Sequence, residues 1–185
     1  MTDKKMVVTG KDTVFSYLYA NEPMPAMDGQ GKPKYSASLI IPKADKVTHD
    51  RIVKAIEAAY EEGQGRLRGN GKSVPPLSSI HSPLRDGDED RPDDENYRGC
   101  WFITAKSLTK PKAYDANGNE IIDSSELYSG IIGKAIISFY AYNVNGNRGI
   151  AAGLQGIKKL RDGKHLGGAN INADSFGDDD DDFLD

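Results

Sequence analysis

Alternation of apolar and polar positions appears in five stretches of the chain, and helical periodicity in one. Residues 14–19 (VFSYLY) are dense in β-formers, and a period of two puts Phe15, Tyr17 and Tyr19 on one strand face. Residues 35–41 (YSASLII) read as a second strand stopped by Pro42. Residues 48–62 carry Ile52, Ala55, Ile56, Ala59 and Tyr60 at helical spacing, with Thr48 expected as N-cap, Asp50 in the first turn and Gly63 as terminator. A third strand is expected within 97–108, around Cys100-Trp101-Phe102-Ile103. Residues 133–144 and 149–160 form a hairpin across Asn145-Gly146. There Ile137, Phe139 and Ala141 share one face, and Ser138, Tyr140 and Tyr142 the other.

The spaces between are punctuated as loops. Pro23, Pro25, Gly29 and Gly31 break 21–32, and Asn117-Gly118 marks a turn. Residues 63–96, rich in Gly, Pro, Ser and charge, are expected to be a long flexible loop. From Gly167 the chain is Gly/Asn/Asp-rich and is expected to be disordered. The fold expected is mostly β: a five-stranded antiparallel OB-fold-like barrel with one main helix at about 48–62. It occupies residues 1–166, and 167–185 are a disordered acidic tail. The helix falls between strands two and three, whereas the usual OB-fold helix follows strand three.

Charge changes this picture more than composition does. The net charge of −4 hides a division within the 185 residues. Residues 174–185 hold seven Asp and no basic residue; without them the chain is +3. A second acidic run, 86–95, has seven acids against one Arg. Residues 96–165 are basic, with ten Lys/Arg against five Asp/Glu. A basic body with acidic appendages points to a polyanionic ligand. The single cysteine excludes an intramolecular disulfide and suits a reducing cytoplasm. There is no apolar run of membrane-spanning length and no secretory signal at the start of the chain, so no membrane partner is expected.

Catalytic signatures are absent. No P-loop, dinucleotide fingerprint, zincin or nucleophile-elbow motif occurs, and the three histidines are far apart and lack Cys partners. Cys100 sits in an apolar strand without a neighbouring histidine, as an inert thiol would. The 86–95 run fails as an EF-hand, with Arg91 and Tyr97 where Gly and Glu are needed. A metal-dependent nuclease would need a strand-anchored carboxylate pair, which the sequence does not offer. Neither enzyme activity, cofactor nor metal is expected.

What recurs instead is aromatics interleaved with cations. Bases stack on rings, and Lys and Arg neutralise phosphates; neither contact needs a fixed base sequence. The residues expected to contact single-stranded DNA are Tyr17, Tyr19, Lys34, Tyr35, Lys106, Lys110, Lys112, Tyr114, Tyr140, Tyr142, Arg148, Lys158, Lys159 and Arg161. The tail adds Asp178, Asp179, Asp180, Asp181 and Asp182, then Phe183 and Leu184. Such a polyanion can compete with DNA for a basic groove. Once displaced, it can dock Phe183 and Leu184 into a partner's basic-rimmed apolar pocket. The rival reading is an interaction or structural protein with no DNA affinity; a preference for RNA over DNA and homo-oligomerisation stay open.

Three blocks carry a resemblance. KPKYSASLIIPK at 32–43, RGCWFITAKSLTKP at 98–111 and YSGIIGKAIISFYAYNVNGNRGIAAGLQGIKKLRDGKHLGG at 128–168 resemble phage-encoded single-stranded-DNA-binding proteins. The tail is also similar to those of bacterial and phage single-strand binders, although Phe183 stands third from the end. The resemblance implies an OB-fold body that coats single-stranded DNA in replication and recombination, in the host cytoplasm. It also implies tail contacts with replication proteins.

Overall fold

The computed structural model describes residues 3–26 and 31–166. Eight strands alternate with three short or medium helices: β1 (Met6–Val8), β2 (Thr13–Met24), β3 (Lys34–Pro42), α1 (Lys46–Glu62), α2 (Gln64–Arg68), β4 (Leu84–Asp86), α3 (Gly87–Asp90), β5 (Cys100–Ser107), β6 (Lys112–Tyr114), β7 (Ile132–Val144) and β8 (Asn147–Arg161). Strand pairing runs β7-β2-β3-β5-β8 and returns to β7, so five strands close a ring. In ring numbering this is the order 1-2-3-5-4-1. The five ring strands are the five that apolar alternation predicts. All ring pairs are antiparallel except β5–β8, which is parallel and limited to Ala105–Ala152 and Lys106–Gly153. The barrel is thus mostly antiparallel, with one parallel seam where ring strands three and five run in the same direction.

Inward positions supply the core. Phe15, Leu39, Ile41, Ile103, Ile137, Phe139, Ile150, Leu154 and Ile157 are buried together with Ile52, Ala55, Ile56 and Ala59 of α1. The helix begins at Lys46, and Asp45 rather than Thr48 caps it, accepting from the Thr48 N–H at 3.2 Å. Its C-terminus comes so near β7 that a Cβ on Gly63 would collide with the Ala141 methyl. That close approach explains the glycine better than backbone conformation, since φ is −94°.

The 63–96 segment carries α2, β4, α3 and three-residue 3-10 turns at Leu77–Ser79 and, at its end, Glu95–Tyr97. It fills the gap left where β5 and β8 part. The His81 N–H donates to the Arg148 carbonyl at 3.1 Å and the His81 carbonyl accepts from Ile150 at 2.9 Å, while β4 pairs with Ile103–Trp101 of β5. The acidic run is organised by local cations. Lys43 Nζ lies 2.8 Å from Asp86 and 2.9 Å from Asp88, and Arg85 Nε lies 2.6 Å from Asp90. Hydrogen bonds from Lys43 to Asp86, and from the Gly99 N–H and Lys43 to Asp88, hold both carboxyls below the usual carboxylate range. No helix among the described residues is long and apolar enough to cross a membrane.

Candidate nucleic-acid interface

Strand register draws one line across the outer face of the barrel. Tyr19 stands opposite Ser36, Ser36 opposite Lys106, Lys106 level with Gly153, and Gly153 opposite Ser138. Their neighbours Ala20, Ala37, Ala105, Ala152 and Ile137 point into the core, which fixes this row as outward. Lys34 lies one pleat from Ser36 on the same face. A Cβ on Gly153 would sit 3.0 Å from Ser138 Oγ and 3.3 Å from Gln155 Nε2, which donates to that Oγ, so the row is closely bordered by these two side chains at Gly153. The face of ring strands two and three, where an OB-fold takes oligonucleotides, is β3 and β5 here.

A bulge re-aims one end of the row. Between Ser16–Ser38 and Tyr19–Ser36, β2 advances three residues while β3 advances two. Tyr17 occupies the bulge at φ +45°, a left-handed conformation uncommon outside glycine. As a result Phe15 is fully buried while Tyr17 is 53% and Tyr19 37% exposed. The sequence expectation that all three share a face is therefore corrected: the bulge separates Phe15 from the tyrosines. Arg91 flanks Tyr17. Its Nη2 donates to the Tyr17 hydroxyl at 2.9 Å, and its guanidinium lies 5.2 Å from the Tyr17 ring and 4.5 Å from the Tyr97 ring. Tyr97 is fully buried, donates to Ser38 Oγ at 2.9 Å and meets Phe102 edge-on at 5.0 Å.

Two clefts open beside the row. One, of about 400 Å³, is lined by Met24, Pro25, Gly31, Lys32, Lys34, Ser36 and Lys106. The other, of about 450 Å³, runs past Tyr17, Tyr19, Asn96, Tyr128 and His165. Tyr128 and His165 stack there at 3.9 Å, with their planes 8° apart.

The structure sorts the residues expected to bind DNA. Tyr17, Tyr19, Lys34 and Lys106 come together at the row. Tyr140, exposed, and Tyr142, half-buried, follow Ser138 along the outer face of β7 toward the hairpin tip, where Arg148 is half-buried. Lys112, Tyr114 and Lys158 gather where β6 meets β8, and Lys110 is exposed just before β6. Tyr35 is half-buried at the start of β3, on the inward-facing side. Two cations are committed elsewhere. Lys159 is buried, with Glu126 and Asp162 each 2.6 Å from Nζ and the Tyr128 ring 5.1 Å away. Burial works against its charge, but hydrogen bonds to Asp162 and Glu126 prevail and raise its pKa. Expected as a phosphate contact, Lys159 is instead a neutralised core-edge cation, because its side chain on β8 turns inward. Arg161 pairs with Asp12 at 2.9 Å on an exposed surface. The residues Asp178, Asp179, Asp180, Asp181, Asp182, Phe183 and Leu184 lie outside the described residues.

Sequence reasoning missed Arg91 and Lys134. Nothing in the 86–95 run marks its one arginine as facing two tyrosines. Lys134 was legible, since a period of two along β7 puts it on the face of Ser138 and Tyr140. The Cys100 thiol has its pKa raised by burial, as an unreactive thiol would. Among the described residues no group of three or more His, Cys, Asp or Glu is placed to hold a metal.

The family described as Enterobacter phage Enc34, ssDNA-binding protein, matches residues 5–184. The chain belongs to this family. A relative, protein p50 of Acyrthosiphon pisum secondary endosymbiont phage 1, is 31% identical over 151 residues, which span 78% of each chain. Among solved structures, the single-stranded DNA-binding protein of bacteriophage Enc34 in complex with ssDNA superposes with a TM-score of 0.72 at 26% identity, covering 89% of this chain and 91% of that one. The single-stranded DNA-binding protein gp2.5 of bacteriophage T7 shares the fold, with a TM-score of 0.62 at 19% identity over 91% and 97% of the two chains. Family and fold place the chain among phage binding proteins, a group without catalytic chemistry.

Proposed function

We propose that this protein binds single-stranded DNA without regard to base sequence, laying the strand along the row from Tyr19 to Ser138. The observation that carries the reading is the row itself. It places Tyr17 and Tyr19, both exposed on β2, beside two lysines, Lys34 and Lys106, on the outer face of ring strands two and three. Neither lysine makes an ion pair among the described residues. Rings accept base faces and ammonium groups bind phosphates, and neither contact depends on base identity. The Enc34 family membership and the ssDNA carried by a structural relative support the same ligand.

The test is a titration of labelled mixed-sequence oligonucleotide, single-stranded and duplex, read by fluorescence anisotropy. Tight single-strand binding with much weaker duplex binding is expected; equal affinity for both defeats the reading. Anisotropy suits this protein better than intrinsic fluorescence. Trp101 lies on the inward side of β5, between His49 at 4.8 Å and Lys43 at 4.9 Å, away from the row.

The same reading extends to biology. The protein coats single strands during phage replication and recombination in the host cytoplasm. Its acidic segment, Asp178 to Leu184, competes with DNA and recruits replication proteins. Removing residues 174–185 should tighten DNA binding at low salt, where a competing polyanion acts most strongly. Unchanged affinity would defeat the competition while leaving the row intact.

A further inference from the structure

A second set of unpartnered cations lies on the barrel, away from the row. Lys134 of β7 and Lys158 of β8 stand directly opposite each other. Tyr114 of β6 is level with Lys158 on its other side, and Lys112 is level with Gly156. Ala113, Ala135 and Ile157 between them point into the core, so all three lysines share the outer face. None of the three makes an ion pair among the described residues. Directly opposed strand residues have Cβ atoms about 5 Å apart, and like charges so placed oppose folding. Elsewhere this surface supplies carboxylates freely: adjacent Lys159 has two, and so does Lys43. Here the carboxylate nearest in register, Glu120, stands beyond Tyr114 and pairs with none of the three, and beside the charges lie Gly156 and the exposed Ile136.

The cluster connects to the row through β8. Lys158 is five residues beyond Gly153, roughly 17 Å along the strand. We propose that a DNA strand leaving the row at Gly153 turns along β8, and that Lys112, Lys134 and Lys158 hold its next phosphates beside the Tyr114 ring. The proposal rests on the single-strand reading above and adds a second half to that path. A polynucleotide fits both parts of the cluster, phosphate on the ammonium groups and base against Tyr114 and Ile136. A run of carboxylates would use only the charges.

The experiment compares full-length wild type with K134Q/K158Q on two oligo-dT lengths, about 6 and about 18 nucleotides, the shorter filling one OB-type groove and the longer exceeding it. Binding of the short strand should change by less than about twofold. The long strand should lose about 1.4 from the slope of log affinity against log salt, which is about 25-fold at 0.1 M salt. The thermal midpoint of the variant should not fall, since a repulsive pair has been removed. Undiminished affinity for the long strand, or equal losses at both lengths, overturns the second half of the path. Tighter long-strand binding by the variant also overturns it and assigns the lysines to an acidic peptide segment. K34Q/K106Q, measured alongside, separates the two readings. It should weaken both lengths; if it weakens neither, the row itself is wrong and the proposal falls with it.

Discussion

Neutralising the two lysines of the row is the perturbation that bears most directly on the binding surface. Lys34 and Lys106 flank Ser36 on the outer face, exposed and without carboxylate partners among the described residues. K34Q/K106Q therefore breaks no ion pair and leaves no buried charge, so its effect on folding should be small. Each phosphate neutralised on a single strand contributes about 0.7 to the slope of log affinity against log salt. Two contacts then contribute about 1.4 log units at 0.1 M salt relative to 1 M, a loss of about 25-fold or about 2 kcal/mol on removal. At 0.5 M the same two contacts contribute about 0.4 log units, about threefold. Anisotropy titrations of labelled oligonucleotide at four or more salt concentrations measure both numbers. K46Q/K54Q supplies the control, because those lysines are exposed on α1, away from the row. A loss of affinity that does not shrink with salt, or an equal loss from the α1 pair, would refute the argument that local phosphate contacts at the row carry the binding.

Three further outcomes follow from the same geometry. Tyr17→Ala and Tyr19→Ala should each weaken binding by about 1–3 kcal/mol if a base stacks on the ring, with the salt slope unchanged; a changed slope would show that the ring had only been positioning a cation such as Arg91. Tyr97→Phe should lower stability by about 1 kcal/mol in urea unfolding, because its buried hydroxyl donates to Ser38 Oγ; an unchanged midpoint would mean that water replaces the bond. The Asp86 and Asp88 carboxyls are held low by Lys43 and the Gly99 N–H, so they contribute stability that is present above the ordinary carboxylate pKa of about 3.9 and lost as pH falls through their lower folded values. Unfolding midpoints of wild type and Lys43→Gln should therefore converge once pH is below those lower folded values, and a gap that persists there would refute the linkage.

How much of this could be read beforehand depends on where the decisive contacts lie in sequence. The ring strands and α1 announce themselves because their signals are local: alternating apolar positions such as Ile137, Phe139 and Ala141, the Asn145-Gly146 turn, and the helical stripe ending at Gly63. The short elements do not. β4 spans three residues and exists because β5 pairs with it and because Lys43 and Arg85 gather the acids that follow. The burial of Tyr97 depends on Ile40, far from it in the chain, as well as on nearby Phe102. The candidate site was half legible for the same reason. Residue type and alternation selected Tyr19, Lys34 and Lys106, but the bulge at Tyr17 is set by the β2–β3 register, and register is a long-range property.

Ion pairing does the sorting that composition could not. Cations with two carboxylates, Lys43 and Lys159, hold the 84–99 segment and the end of β8 in place. Each would have to give up charge-assisted hydrogen bonds before meeting a phosphate, and Lys159 is itself buried between its two carboxylates. Lys34, Lys106, Lys112, Lys134 and Lys158 have nothing to give up. For them a phosphate is a net gain of one contact and the release of a counterion, and for Lys134 and Lys158 it also relieves a repulsion built into the fold. Counting basic residues in the sequence treats both groups alike. The folded chain divides them, and these five lysines lie on the outer faces of β3, β5, β6, β7 and β8, along the path proposed for a strand of phosphates.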